Sequence, residues 1–133
     1  MNNDKILRIA RGFALVAGGA DAATGVGLVV LPGFTLGAMG VAAPGAEAVI
    51  FLRFVGVFVG AVGASYLVAL ASRRADRLWA VFRITTLFRL AAGSFVAWAV
   101  WTGRLEMRWL SVTITDGIIA GVQLWLLPRE PRA

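Results

Sequence analysis

The sequence predicts an all-α integral membrane protein: one four-helix transmembrane bundle over residues 1–133, with N- and C-termini cytoplasmic. Three observations predict it. Hydrophobic residues make up 59% and charged residues 15% of the chain, against about 45–50% and about 25% in an ordinary soluble domain. The apolar residues gather in four blocks, each near the ~20 residues that a helix needs to cross ~30 Å of hydrocarbon. Most of the basic residues flank those blocks on one side only, the positive-inside pattern.

The first block spans about 6–31, opened by Lys5, Arg8 and Arg11 and closed by Pro32-Gly33. A basic start before an apolar stretch also describes a signal peptide, and Ala20-Asp21-Ala22 loosely resembles a cleavage site. The apolar run continues for nine residues beyond it and three similar blocks follow, so the segment reads as a first span. Residues 32–46 (PGFTLGAMGVAAPGA) carry no charge before Glu47. Such a connector is too apolar to be simply solvated, and it is expected to lie on or dip into the membrane interface, capping the bundle. The second block, 48–71, contains Gly56, Gly60 and Gly63; the third spans 78–101 and the fourth 109–127, ended by Pro128. The short linkers 72–77 (SRRADR) and 102–108 (TGRLEMR) make consecutive helices antiparallel neighbours.

Orientation follows from the basic residues. Lys5, Arg8, Arg11, Arg73, Arg74, Arg77, Arg129 and Arg132 fall on one side, and Arg104 and Arg108 on the other. Eight against two places the first side in the cytoplasm of a cell with a multi-pass inner-membrane protein. Trp79 at the inner interface and Trp98, Trp101 and Trp109 at the outer one fit aromatic belts, with Trp125 at the inner end of the fourth helix. The net charge of +6 does not indicate a nucleic-acid partner, because no Lys/Arg stripe lies on a soluble face. The absence of Cys and His excludes thiol nucleophiles, His acid–base chemistry, His- or Cys-ligated haem, iron–sulfur clusters and the usual zinc sites. No metal site and no cofactor are expected.

Small residues mark close packing. Gly56-xxx-Gly60 on the second helix and Ala14, Ala17, Gly18, Ala22 and Gly25 on the first let backbones approach where lipid supplies no hydrophobic drive. Packing within the bundle is favoured over a homo-oligomer face, and different stripes can serve both.

Five charges remain inside the apolar blocks: Asp21, Arg53, Arg83, Arg89 and Asp116. A mid-membrane charge costs about 2.5–3.5 kcal/mol on insertion scales, so by default it faces protein and has a partner. Arg83, about five residues from the cytoplasmic end of its helix, can snorkel to the headgroups. At ~1.5 Å per residue, Asp116 and Arg53 lie ~10 Å, Asp21 ~15 Å and Arg89 ~20 Å from the outer ends of their helices. Each helix thus contributes one charge to the outer half of the bundle. A neutral Asp/Arg/Arg/Asp cluster is the expectation, with each Arg fork holding a carboxylate.

Helical spacing extends this face. Trp109, Thr113, Asp116, Ala120 and Gln123 form one stripe of the fourth helix. Gly18 and Gly25 flank Asp21 and are expected to leave space around it, and Thr85 and Thr86, one turn before Arg89, to complete its hydrogen bonds. Tyr66, the only Tyr, lies toward the inner end of the second helix, where Gln123 is its partner at matching depth.

Arg53-x-x-Gly56, Tyr66-Leu67, the polar linker, Arg89 and Asp116, after a Gly-rich first helix ending in Leu31-Pro32-Gly33, make the chain similar to the DoxX-like superfamily of small bacterial four-helix membrane proteins. The resemblance covers nearly the whole chain through sparse motifs. It implies a four-helix bundle with a polar interior near one membrane face; members are variously linked to quinone-coupled oxidation, to redox-partner complexes or to no known activity. No such function transfers by residue, and a thiol-dependent role conflicts with the absent Cys.

Four functional readings follow. The charges can be purely structural, fixing which helices associate. They can line a cavity for a lipophilic ligand with a polar head, a quinone or a lipid, with Arg53, Arg89, Tyr66 and Gln123 binding it and Asp21 and Asp116 orienting the arginines; the same surface can instead dock a membrane partner. An enzyme is the alternative: Asp21 and Asp116 as catalytic base and acid, set apart by their environments, suit isomerisation, cyclisation or epoxide opening on a hydrophobic substrate without a cofactor. Transport ranks last, since four helices are thin for alternating access and no inverted repeat stands out.

Overall fold

The computed structural model describes residues 2–131, which are helical throughout apart from short connections and contain no strand. The helices are α1 (Asn3–Val30), α2 (Pro32–Ala38), α3 (Ala46–Ala71), α4 (Ala75–Trp101) and α5 (Leu110–Leu126). Single 3-10 turns, Met107–Trp109 and Leu127–Arg129, prolong α5 at both ends. Four units are long and apolar enough to cross a membrane: α1, α3, α4 and Met107–Arg129.

Three helices, α1, α3 and α4, start two or three residues before their apolar blocks, and a side-chain cap holds the first of these starts. The Asn2 side chain accepts from the Asp4 N–H at 3.3 Å and closes the first turn of α1. Asp4 and Asp76 then sit in the first turns of α1 and α4, where the helix dipole favours a negative charge. Pro32, read from sequence as a terminator, also opens α2: it lacks only an N–H that the first turn leaves unpaired, and its φ is preset for a helix. Gly40, at φ +71, turns the chain out of α2. Leu36 of α2 and Val41 after it bury against Leu28, with Trp109 packed alongside. The apolar connector therefore closes this end of the bundle, partly as a helix rather than as irregular loop.

The bundle is built from two tight pairs, α1 with α3 and α4 with α5, and the contacts between pairs are sparser. Glycine makes the first pair. A methyl on Gly18 would lie 2.6 Å from the Tyr66 Cβ, and one on Gly56 would lie 2.7 Å from the Leu28 Cβ and 3.0 Å from the Gly25 carbonyl. On Gly25 or Gly63 it would overlap the facing backbone at Gly60 or Ala22. Backbones in direct contact gain dispersion energy that no side chain could mediate as closely. In the second pair Gly93 faces Thr113, whose hydroxyl donates to the Gly93 carbonyl at 3.0 Å.

At the end that holds the termini, Phe13, Trp79 and Phe82 stack edge to face, with ring centroids 5.6 Å apart in each pair. Trp79 is 1% exposed, so it is a core residue and not part of an aromatic belt. The reason is its register: Trp79, Phe82, Thr86, Arg89 and Gly93 recur at helical spacing, and all are buried. Trp98 and Trp125 are exposed and each carries an arginine over its ring, Arg104 at 5.0 Å and Arg129 at 4.3 Å.

Candidate functional site

The polar residues converge where the two helix pairs meet. Arg89 on α4 points inward and is 6% exposed. Its Nη1 donates to Asp116 Oδ1 on α5 at 2.7 Å, and its Nη2 donates to Asp21 Oδ2 on α1. One planar guanidinium thus holds two carboxylates side by side, one from its own helix pair and one from the other. The fork geometry of arginine makes this possible; a lysine ammonium offers no such fixed pair of donors. Tyr66 of α3 lies beneath, with its ring centroid 6.0 Å from the Arg89 Cζ.

A second layer of uncharged groups continues toward the terminal end. Gln123 Nε2 donates to Tyr66 Oη and to Thr85 Oγ1, both at 2.7 Å. Thr85 donates its own hydroxyl hydrogen to the Val81 carbonyl at 2.7 Å. The 2.7 Å contact between the Tyr66 and Thr85 hydroxyls is then donated by Tyr66. Tyr66 and Gln123 are fully buried, so each of these bonds replaces one that water would have made. α3, α4 and α5 are joined by this ring, and α1, α4 and α5 by the charged triad above it. The Tyr66–Gln123 contact is the one that matching depth anticipates.

Three placements differ from the sequence reading. Arg53 does not join the cluster: it is exposed on α3 beside Val49 and Ile50, with no carboxylate in reach among the described residues. Its depth matches that of the cluster, but its azimuth does not. Thirteen residues separate Arg53 from Tyr66, the α3 residue that enters the interior, which is ~140° around the helix at 3.6 residues per turn. Gly18 and Gly25 leave no space around Asp21, because their open faces are filled by Tyr66 and by the Gly60 backbone. Thr85 and Thr86 do not reach Arg89: Thr85 serves the Tyr66 ring of bonds, and Thr86 donates back to the Phe82 carbonyl at 2.7 Å. Arg83 pairs with Glu130 at the surface.

Sequence reasoning missed the part of Thr85 in the Tyr66–Gln123 layer and the Thr113 bond to the Gly93 carbonyl. Both had a signal: Thr85 lies four residues before Arg89, and Thr113 three before Asp116, each on the face of its neighbour.

The departure of Arg53 changes the chemistry. Two carboxylates now share a single guanidinium in place of a neutral set of four. Asp21 Oδ1 and Asp116 Oδ2 accept no hydrogen bond from any described residue. Neither carboxylate is sealed, since the Asp21 and Asp116 side chains are 14% and 15% exposed. Both Nη groups of Arg89 are engaged, and its Nε is buried with no acceptor. The open valences of the site are therefore two carboxylate oxygens together with the Arg89 Nε–H donor. Among the described residues no group of Asp and Glu is arranged to hold a metal ion.

No family model, no curated protein and no solved structure matches the chain.

Proposed function

We propose that this chain is a multi-pass protein of the bacterial inner membrane, with both termini cytoplasmic, whose buried seam receives the polar head of a lipophilic molecule. The four long apolar helices and the eight-to-two asymmetry of basic residues support insertion and orientation. The reading is carried by one observation: Asp21 and Asp116 each give one oxygen to Arg89 and keep the other free, at a seam between helix pairs that touch sparingly. An association device alone has no need of half-used carboxylates, because intramembrane charges are costly unless paired. A head group entering between the pairs would complete their hydrogen bonds while its chain stays in lipid. The similarity to DoxX-like proteins points the same way, with a polar interior near one membrane face.

Mass spectrometry of small molecules retained after purification in mild detergent tests this reading. A stoichiometric lipophilic compound is expected with the native chain and not with an Asp21→Asn/Asp116→Asn variant that still inserts. Equal retention by both would refute it.

Docking of a membrane partner is the second reading, and Arg53 favours it. An unpaired guanidinium on an apolar helix face, near the exposed Phe54 and Phe58, calls for an acidic group from outside the chain. Co-purification of a membrane protein that Arg53→Gln abolishes would support it; unchanged co-purification would exclude Arg53 as the contact.

A further inference from the structure

Resting on the membrane insertion and orientation proposed above, we infer that Arg53 holds the phosphate of a glycerophospholipid of the outer leaflet, in a groove on the lipid-facing side of α3. The first observation is that its guanidinium has no partner among the described residues. Asp21 and Asp116 are taken by Arg89, Asp76 by Arg74 and Glu130 by Arg83. Asp4 lies in the first turn of α1, at the opposite end of the bundle. Glu47 and Glu106 are exposed at the outer end and neither pairs with Arg53. Glu47 precedes it by six positions on the same helix, which is ~120° around the axis.

The second observation is depth. Ile50, Phe54 and Val57, beside Arg53 on α3, are exposed apolar side chains of the kind that meets lipid. A bare guanidinium among them is costly, and a long cationic side chain on such a face extends toward the interface. Seven residues, a rise of ~10 Å, separate Arg53 from Ala46, the first residue of α3. The side chain covers much of that height, so its charge reaches headgroup level while its base stays in hydrocarbon.

The third is a path. Ala46, Val49, Ile50 and Arg53 line a groove of about 360 Å³. Their spacing of i, i+3, i+4 and i+7 puts them on one stripe, so the groove leads from Arg53 straight up the helix to its outer end, between small and aliphatic walls. A phosphodiester supplies two anionic oxygens that match the guanidinium fork. Every glycerophospholipid carries one at this height, with its acyl chains free to lie along Phe54 and Val57.

The test is carbon–phosphorus recoupling by solid-state NMR on the full, arginine-labelled chain in mixed phosphatidylglycerol and phosphatidylcholine bilayers. Retention of the chain through an alkaline wash first establishes insertion, and the Arg53 signal is the one that Arg53→Gln removes. Its guanidinium carbon should be dephased by lipid phosphorus, with Arg89, held by two aspartates, as the undephased reference. In native mass spectrometry from the same bilayers, Arg53→Gln should lower the preference for phosphatidylglycerol roughly 5-fold, or ~1 kcal/mol. Arg53→Lys, which keeps the charge without the fork, should recover only part of it. No phosphorus dephasing at Arg53 in a chain that resists the wash would overturn the lipid contact and leave the membrane reading standing. A chain that washes off would overturn both. Recoupling of Arg53 to a carboxyl carbon of a differently labelled copy would assign it to a second copy of the chain and overturn the lipid contact. An unchanged lipid preference in Arg53→Gln would do the same. Should Arg53→Gln fail to fold, Arg53→Lys assigns the signal in its place.

Discussion

Gly25→Ala is the most informative single perturbation of the fold, because its effect can be worked out from the backbone. The added Cβ would overlap the Gly60 N and Cα and lie 2.7 Å from the Gly56 carbonyl oxygen. Ordinary contacts between such atoms fall near ~3.5–4.0 Å, so α1 and α3 must separate by ~1 Å. None of the obstructing atoms is the end of a flexible side chain, so the helices themselves have to move. Overpacking of this kind costs ~1–3 kcal/mol, against a gain of about 1 kcal/mol from the better helix former, for a net loss of ~0–2 kcal/mol, or ~1–3 kcal/mol relative to a Gly→Ala control that meets no obstruction. Asp21 sits one turn before Gly25 on the same helix, and the shift also loosens its contact with Arg89. The assay is reversible unfolding in mild detergent, read by Trp fluorescence, with Gly19→Ala and Gly117→Ala as controls; a Cβ at either meets nothing within 4 Å. Gly25→Ala as stable as Gly19→Ala would refute the direct contact of the α1 and α3 backbones.

Arg89→Met should destabilise the bundle by ~3–5 kcal/mol, since it strands two interior carboxylates, and adding Asp21→Asn and Asp116→Asn should restore most of that loss; unfolding midpoints of the single and triple variants check it. Tyr66→Phe, which removes the hydroxyl held by Gln123 and Thr85, should cost ~1–2 kcal/mol, and combining it with Gln123→Leu should cost less than the sum of the two. The natural absence of Cys makes single-cysteine labelling clean. Ser72→Cys should react with an impermeant maleimide only from the cytoplasmic side of oriented vesicles, and Thr102→Cys only from the opposite side; labelling of both from one side would overturn the topology.

Much of the fold was legible because hydropathy and helical period are local quantities. The four spans, the short linkers, the small-residue faces of α1 and α3 and the pairing of Tyr66 with Gln123 all follow from spacing along single helices. The charged cluster was legible only in depth. Asp21, Arg89 and Asp116 share a level and an inward azimuth, whereas Arg53 shares the level alone, and azimuth on α3 depends on which stripe packs against α1. The Gly56, Gly60 and Gly63 stripe makes that choice, and it turns Arg53 to the outside. Trp79 shows the converse. Its position near a helix end suggests an interfacial aromatic, yet its register with Phe82, Thr86 and Arg89 puts it in the core. Pro32 misleads for a similar reason, since a proline that ends one helix is equally suited to begin the next.

Solid-state NMR recoupling between guanidinium nitrogens and aspartate carboxyl carbons, on labelled chain in lipid bilayers, reaches the heart of the matter. Arg89 should show contacts to both Asp21 and Asp116, through the 2.7 Å Nη1–Oδ1 bond and its Nη2 counterpart, while Arg53 shows contact to neither. A carboxyl contact to Arg53, or an Arg89 touching only one aspartate, would contradict the two-carboxylate, one-guanidinium site.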